Sequence, residues 1–165
     1  MQKYFSHIFF STSLFALLLV GCLKTEEFPS TPSITLDTFE PKTDGSATLK
    51  LLFTDGDGDI GLNPGDTLAP FNINSPYYYN LFVRYYERKN GIWTLIPINN
   101  PPLSYRTPVV TPTGQNKSLN GSITVDLSLY YDPNSTFDTI RLDVKLLDRA
   151  LNESNIVEIG PLIKP

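Results

Sequence analysis

Apolar and polar residues alternate one by one along much of this chain, and this alternation constrains the fold more than any other feature. In residues 139–147 every even position is apolar, whereas Arg141, Asp143 and Lys145 hold odd positions. Successive side chains of a β-strand point to opposite faces, so the pattern predicts a strand with one face on a core and one in water. No segment with helical spacing competes with this pattern.

Similar segments recur between turn signals, and they divide the chain into short strands. Asn90-Gly91, between two such segments, is the strongest short signal for a β-hairpin. Fourteen prolines and ten glycines occur in the chain, many of them in the connections. The predicted strands cover residues 34–39, 48–54, 78–87, 92–98, 123–129, 139–147 and 156–159.

About seven strands of this length predict an all-β fold, an immunoglobulin-like antiparallel sandwich. The end of the chain supports this, because residues 146–155, LLDRALNESN, contain an Asp-x-Ala-x-Asn-x-Ser pattern. That pattern resembles the last turn of many bacterial immunoglobulin-like and cadherin-like domains. The Cys–Trp–Cys signature of antibody domains is absent, so the resemblance concerns architecture only.

The first 22 residues, MQKYFSHIFFSTSLFALLLVGC, have the layout of a secretory signal. Their apolar run is too short, and too closely followed by polar sequence, to be a transmembrane span. Leu19-Val20-Gly21-Cys22 resembles the lipobox of bacterial lipoproteins, which implies that Cys22 is acylated and becomes the new N-terminus. The alternative is an ordinary signal peptide with an incidental Cys. The resemblance implies anchoring by acyl chains.

Three regions follow from these signals: a lipoprotein signal peptide (1–21), a lipidated Cys22 with a flexible tether (22–33), and an immunoglobulin-like domain (34–165). Residues 24–27, KTEE, resemble the acidic stretch behind the lipidated Cys in surface-exported lipoproteins of the Bacteroidota. The alternative is a solvated linker. The resemblances imply an outer-membrane lipoprotein of the cell envelope, and the acidic stretch, if it is an export signal, implies exposure at the cell surface.

Cleavage before Cys22 would remove Lys3 and His7, the only His in the chain. Twelve basic and 17 acidic residues would then remain. This net negative charge does not favour binding to nucleic acid. Without imidazole or a free thiol, Ser-His-Asp and Cys-His catalysis and His- or Cys-ligated zinc are excluded. We therefore expect no enzyme, with a carboxylate-pair hydrolase as the remaining catalytic alternative.

The most unusual segment is residues 53–66, FTDGDGDIGLNPGD, where Asp55, Asp57 and Asp59 alternate with two glycines. No basic residue occurs between Lys50 and Arg84 to balance them. Crowded carboxylates repel one another, and a hard divalent cation would remove the repulsion while gaining several oxygen ligands. The segment therefore predicts a calcium site. A solvated acidic turn is the alternative.

The spacing partly follows the calcium loop of the EF-hand, but Ile60 stands where that loop needs Gly and the flanks read as strands. The closer resemblance is to Asp-Gly-Asp-Gly-Asp-Ile-Gly loops of small Bacteroidota lipoproteins, which implies that Ile60 packs inward while the aspartates face the ion. The ligands predicted within the loop are Asp55, Asp57, Asp59, the Gly61 carbonyl, Asn63 and Asp66.

Two further ligands are predicted from the expected topology. Immunoglobulin strand order brings the connections after the second, fourth and sixth predicted strands to one end of the sandwich. Asp148 and Asn152 would then complete the calcium site, which we expect to be structural. Asp148 as a turn-forming residue of its own hairpin is the alternative.

Aromatic residues suggest a second kind of site. The tyrosines at 77–79, 85, 86 and 105 would alternate between the core and the surface, and the outward rings could form a platform for sugar rings or a protein partner. We expect a non-catalytic envelope lipoprotein with a structural calcium, attached to the membrane by its lipid. The alternative is a carbohydrate-binding accessory lipoprotein of a glycan-uptake system, and a glycan or an envelope protein is the expected partner.

Overall fold

A computed structural model of the protein describes residues 27–98, 103–110 and 117–164. The signal peptide predicted for residues 1–21 and the predicted acylation site Cys22 lie outside these residues. Within them, no helix has the length and apolar character needed to cross a membrane.

In the described part of the chain, eight strands form two antiparallel sheets, which confirms the all-β sandwich predicted from the alternation. One sheet has the order β1-β2-β6, and the other has the order β4-β3-β7-β8, with β5 paired to β3. The strands are β1 (Ser33–Pro41), β2 (Ala47–Asp55), β3 (Leu81–Lys89), β4 (Ile92–Ile96), β5 (Ser104–Tyr105), β6 (Leu119–Leu127), β7 (Thr139–Leu146) and β8 (Val157–Ile163).

The core lies between the two sheets and follows the period-two pattern closely. In β7 the even positions predicted to face inward are all buried, and β2 buries every second residue from Ala47 to Asp55. Each fully buried Leu or Ile contributes about 1.5–3 kcal/mol relative to leaving it in water. The core therefore gains most of its stability from β2, β3 and β7, whose fully buried side chains include Leu49, Leu51, Leu81, Tyr85, Leu142, Val144 and Leu146.

Strand pairing determines which connections share an end of the sandwich. Asp55 at the end of β2 pairs with Leu119 at the start of β6, and Leu81 at the start of β3 pairs with Leu146 at the end of β7. We call this end, formed among the described residues by 56–80, 103–110, 117–118 and 147–156, the loop end. The opposite end, which carries the β1–β2 and β3–β4 turns, is the hairpin end.

The residues just before β1 run along the loop end. The backbone N–H of Phe28 donates to the Ser118 hydroxyl at 3.1 Å, and the N–H of Gly56 donates to the Pro29 carbonyl at 2.8 Å. Residues 28–32, which we call the lead-in segment, are thus attached to two separate connections. These residues belong to the tether predicted for residues 22–33, whose residues 22–26 lie outside the described part of the chain.

Candidate metal centre

Four aspartates from two connections meet at the loop end. Asp55 ends β2, Asp57 and Asp59 follow it, and Asp148 comes shortly after β7. One carboxylate oxygen of each lies within 4.8 Å of those of the other three. This group, which we call the aspartate cluster, could hold a metal ion.

The cluster forms because the chain crosses from one sheet to the other directly after β2. Ile60 is buried in the hydrophobic core, as the sequence predicts, and it forms an isolated antiparallel bridge with Asp148. The N–H of Arg149 also donates to the Asp59 carbonyl at 3.2 Å. Burial of Ile60 therefore holds the Asp55–Asp59 turn beside the end of β7.

Among the described residues, Asp55 and Asp59 each use only one carboxylate oxygen in a hydrogen bond. Asp55, which is fully buried, accepts at Oδ2 from the N–H of Asp59 at 3.0 Å, and Asp59 accepts at Oδ2 from the N–H of Ala150 at 3.0 Å. The Oδ1 atoms of both residues are buried and have no hydrogen-bond partner among the described residues. Two carboxylate oxygens are therefore left for another ligand.

Asp148 is oriented by Asn152. Its two carboxylate oxygens accept from the backbone N–H and the side-chain amide of Asn152, at 2.7 and 2.8 Å. Asp148 is thus at once a turn-forming residue and a member of the cluster, so the two sequence interpretations are compatible. Asn152, predicted as a ligand, lies beside the cluster, where its amide nitrogen donates to the Asp148 carboxylate.

The remaining predicted ligands make other contacts. Gly61 lies against the neighbouring connection so closely that a Cβ there would be 2.0 Å from the Pro108 carbonyl oxygen. The Asp66 carboxylate accepts from the N–H of Asn63 at 2.7 Å and is paired with the guanidinium of Arg149. That hydrogen bond from Arg149 lowers the pKa of Asp66. Asp66 is neutralised by the chain itself and is not a member of the aspartate cluster.

Two arginines at this end are not found by reading the acidic segment alone. Arg149 pairs with Asp66, and Arg106 donates to the carbonyls of Tyr78, Asn63 and Asp66 at 2.6, 3.0 and 3.2 Å. Arg106 therefore closes the neck of the loop formed by residues 67–77. Arg149 could have been found in the sequence from its position next to the predicted ligand Asp148. No sequence pattern pointed to Arg106.

Burial dominates the electrostatics of the cluster. It raises the pKa of Asp55 to about 6, a shift opposed by the hydrogen bond from Asp59 and reinforced by the charges of Asp57, Asp59 and Asp148. Burial and the charge of Asp148 also raise the pKa of Asp59. Within the described residues, no Lys or Arg forms a salt bridge with any member of the cluster. Its negative charge therefore lacks a direct partner from those residues.

Most of the tyrosines proposed for a platform are engaged within the protein. Tyr85 is in the core, Tyr105 packs against the core, and the ring of Tyr78 lies 4.8 Å from the guanidinium carbon of Arg106. Tyr77 is exposed and lines a cavity of about 200 Å³ beside β3 and β7. The aromatic surface at the loop end is thus small and centred on Tyr77.

No protein-family model, curated protein or solved structure matches this chain. The chemistry of the cluster is therefore inferred from its own donor atoms. Carboxylate oxygens are hard ligands that suit calcium, magnesium and manganese rather than soft metals. The arrangement provides up to four such donors from two connections of the sandwich.

Proposed function

We propose that this chain is a non-catalytic lipoprotein of the cell envelope whose two sheets are joined at the loop end by a structural calcium ion. The main support for the ion is Asp55, which is fully buried and belongs to a group of four carboxylates. Its Oδ1 has no hydrogen-bond partner among the described residues. A buried carboxylate without a compensating partner is strongly unfavourable. A bound cation supplies that compensation.

The number of crowded carboxylates in the cluster favours calcium over magnesium. Calcium binds oxygen at about 2.3–2.6 Å, so ligands on opposite sides of the ion are about 4.6–5.2 Å apart. The 4.8 Å limit within the cluster is compatible with that span. Magnesium demands nearly ideal octahedral geometry at about 2.0–2.1 Å and usually keeps several waters, which four crowded carboxylates do not favour.

The role that follows for the ion is mechanical. Asp55 is the last residue of β2, with Asp57 and Asp59 directly after it, whereas Asp148 follows β7 in the other sheet. An ion bound by all four would cross-link the sheets and stabilise only the folded state. At a calcium concentration of 100 Kd such binding adds about 2.7 kcal/mol to the free energy of unfolding.

Calorimetric titration tests the ion site. We expect residues 24–165 to bind calcium more tightly than magnesium, with a Kd of about 10⁻⁴–10⁻³ M as in extracellular modules. Asp55→Asn should abolish binding. Asp37→Asn is the matched control, because Asp37 pairs with Lys50 on β1 and β2, away from the cluster. Equal heats for wild type and Asp55→Asn would contradict the site.

The lipid anchor rests on the sequence, since Cys22 is the only Cys and stands where the lipobox requires it. Its test is metabolic labelling of the full chain with an alkyne fatty acid in a bacterium that processes lipoproteins. We expect label on the wild type and none on Cys22→Ala, with intact mass spectrometry locating the acyl groups on Cys22. Equal labelling of both chains would contradict the anchor.

The cavity at Tyr77 supports the second candidate, a carbohydrate-binding accessory lipoprotein of a glycan-uptake system. An exposed aromatic ring beside charged groups is a common lining for a sugar ring. A glycan array tests this, with Tyr77→Ala expected to abolish any signal and Tyr86→Ala, whose ring is covered by Arg141, expected to keep it. The cavity is lined by Pro76, Tyr77, Phe82, Arg84, Lys145, Leu147 and Glu153.

A further inference from the structure

The lead-in segment reaches the sandwich at the aspartate cluster itself. Gly56, which separates Asp55 from Asp57, donates its N–H to the Pro29 carbonyl at 2.8 Å. A Cβ at Gly56 would lie 2.1 Å from the Phe28 carbonyl oxygen and 2.7 Å from the Pro29 carbonyl group, both of which are backbone. Only Gly allows the two backbones to approach this closely, so position 56 is specialised for holding the lead-in segment.

A third connection holds the chain where β1 begins. The Asn155 side chain accepts from the N–H of Ile34 at 2.9 Å and donates to the Ile34 carbonyl at 2.8 Å. It also accepts from the hydroxyl of Ser33 at 3.2 Å. With the bonds at Gly56 and Ser118, this means that three connections of the loop end determine where the chain joins the domain.

The distance from this junction to the proposed lipid is short. Phe28 follows Cys22 by six residues, which span at most ~20 Å when fully extended. The nine residues of β2 alone extend about 30 Å towards the hairpin end. The loop end is therefore confined near the lipid, whereas the hairpin end can reach it only if the domain lies on its side.

We propose that the loop end is the surface of this protein that faces the lipid bilayer. The inference rests on the proposed acylation of Cys22 and goes beyond it, because acylation alone permits any orientation. It identifies a phospholipid surface as the partner of the loop formed by residues 67–77. The position of the lead-in segment carries this inference.

Exposed apolar side chains supply the contact. Leu68 and Ile73 are 82% and 73% exposed, on the loop whose neck is closed by Arg106. Such side chains gain free energy when they enter the boundary between head groups and acyl chains. The hairpin end also exposes Ile92 and Ile163, at 70% and 67%, so apolar exposure alone does not distinguish the two ends. Those residues instead provide matched controls.

Fluorescence quenching in vesicles tests the orientation. The full chain, processed in a lipoprotein-producing bacterium, is reconstituted into phosphatidylcholine vesicles that contain a head-group nitroxide lipid. A thiol-reactive fluorophore is attached at Leu68→Cys or at Ile92→Cys, and acylated Cys22 cannot react with it. We expect several-fold stronger quenching at position 68 than at position 92.

The outcomes separate this inference from the proposed anchor. A chain that does not float with the vesicles overturns both, because no acyl group holds it there. A chain that floats but shows equal quenching at the two positions, or stronger quenching at position 92, overturns the orientation alone.

A second pair of variants tests the cause. Gly56→Val should displace the lead-in segment and reduce the quenching difference between positions 68 and 92. Ser118→Ala removes the hydroxyl that accepts from Phe28 without adding bulk. It should reduce the quenching difference by less than Gly56→Val does, and it still tests the lead-in segment if Gly56→Val does not fold. An undiminished difference in the variants that fold would overturn the role of the lead-in segment.

Discussion

The two ends of the sandwich each bury a carboxylate, and they compensate it in opposite ways. At the hairpin end, Glu87 lies 3.2 Å from the Nζ of Lys89 and accepts from the Tyr85 hydroxyl at 2.9 Å. At the loop end, Asp55 accepts one backbone N–H and otherwise faces aspartates. The chain supplies the counter-charge at one end, and at the other we propose that it comes from solution.

The pKa values follow this difference. Burial alone would raise the pKa of Glu87, but hydrogen bonds with Ser135, Tyr85 and Lys89 outweigh it, and the pKa is lowered. Burial raises the pKa of Asp55 to about 6, and neighbouring aspartates add to the shift. Two carboxylates with almost no exposed surface thus shift their pKa values in opposite directions, and a neighbouring donor or a neighbouring anion contributes to the direction.

Removing calcium should have the largest effect, because among the described residues no Lys or Arg forms a salt bridge with the aspartate cluster. We expect residues 24–165 to lose about 2.7 kcal/mol of unfolding free energy between 100 Kd calcium and excess chelator. Thermal melts followed by circular dichroism measure this, with magnesium as the control ion. Superimposable melts would refute the proposed cross-link.

Lys89→Met should destabilise the hairpin end by about 2 kcal/mol, because it leaves Glu87 buried without its cation. This is below the full cost of breaking a buried pair, since Lys89 is partly exposed. The loss should be the same with calcium and with chelator, as measured by urea unfolding. Lys50→Met is the control, because its pair with Asp37 is partly exposed and should contribute less than about 1 kcal/mol. A calcium-dependent loss in Lys89→Met would show that the two ends are coupled.

Asp148→Asn should weaken calcium binding by about tenfold, or about 1.4 kcal/mol, since it removes one charged ligand. Asp57→Asn should have a similar effect in the same calorimetric titration. Asp66→Asn should leave the affinity nearly unchanged, because Arg149 already occupies that carboxylate. Unchanged calcium affinity in Asp148→Asn would show that Asp148 is not a ligand. A large loss of affinity in Asp66→Asn would show that Asp66 is one.

The smallest expected effects are opposite pH dependences of the two ends. In chelator, the folded state holds a proton on Asp55 up to a pH of about 6, above the ordinary value of 3.8. Its contribution to stability is therefore full below pH 3.8 and is lost as the pH rises through 6. The lowered pKa of Glu87 makes a contribution that is present above its ordinary value of 4.5 and is lost as the pH falls through its folded value.

Urea unfolding between pH 3 and pH 7 measures both slopes as differences between wild type and Asp55→Asn or Glu87→Gln. Calcium should suppress the Asp55 slope, because the ion holds that carboxylate ionised. Slopes of the same sign at both ends would contradict the comparison.

Local patterns were sufficient for the sheets. Burial in β2 and β7 follows the period of two, because neighbouring side chains of a strand necessarily face opposite sides. Strand boundaries were predicted less accurately than the strands themselves. β3 begins at Leu81 rather than at position 78, since Arg106 binds the Tyr78 carbonyl in a turn. The two-residue strand β5 is too short to leave a periodic signal.

By itself, the sequence determined the sandwich and the crowding of Asp55, Asp57 and Asp59, because both depend on residues within one or two positions of each other. Only the tertiary structure decided which charges meet. It brought Arg149 to Asp66 across 83 positions and Phe28 to Ser118 across 90. Periodicity reports which face of a strand is buried. The pairing of charges between connections depends instead on how the two sheets pack, and no local sequence pattern encodes contacts between residues so far apart in the chain.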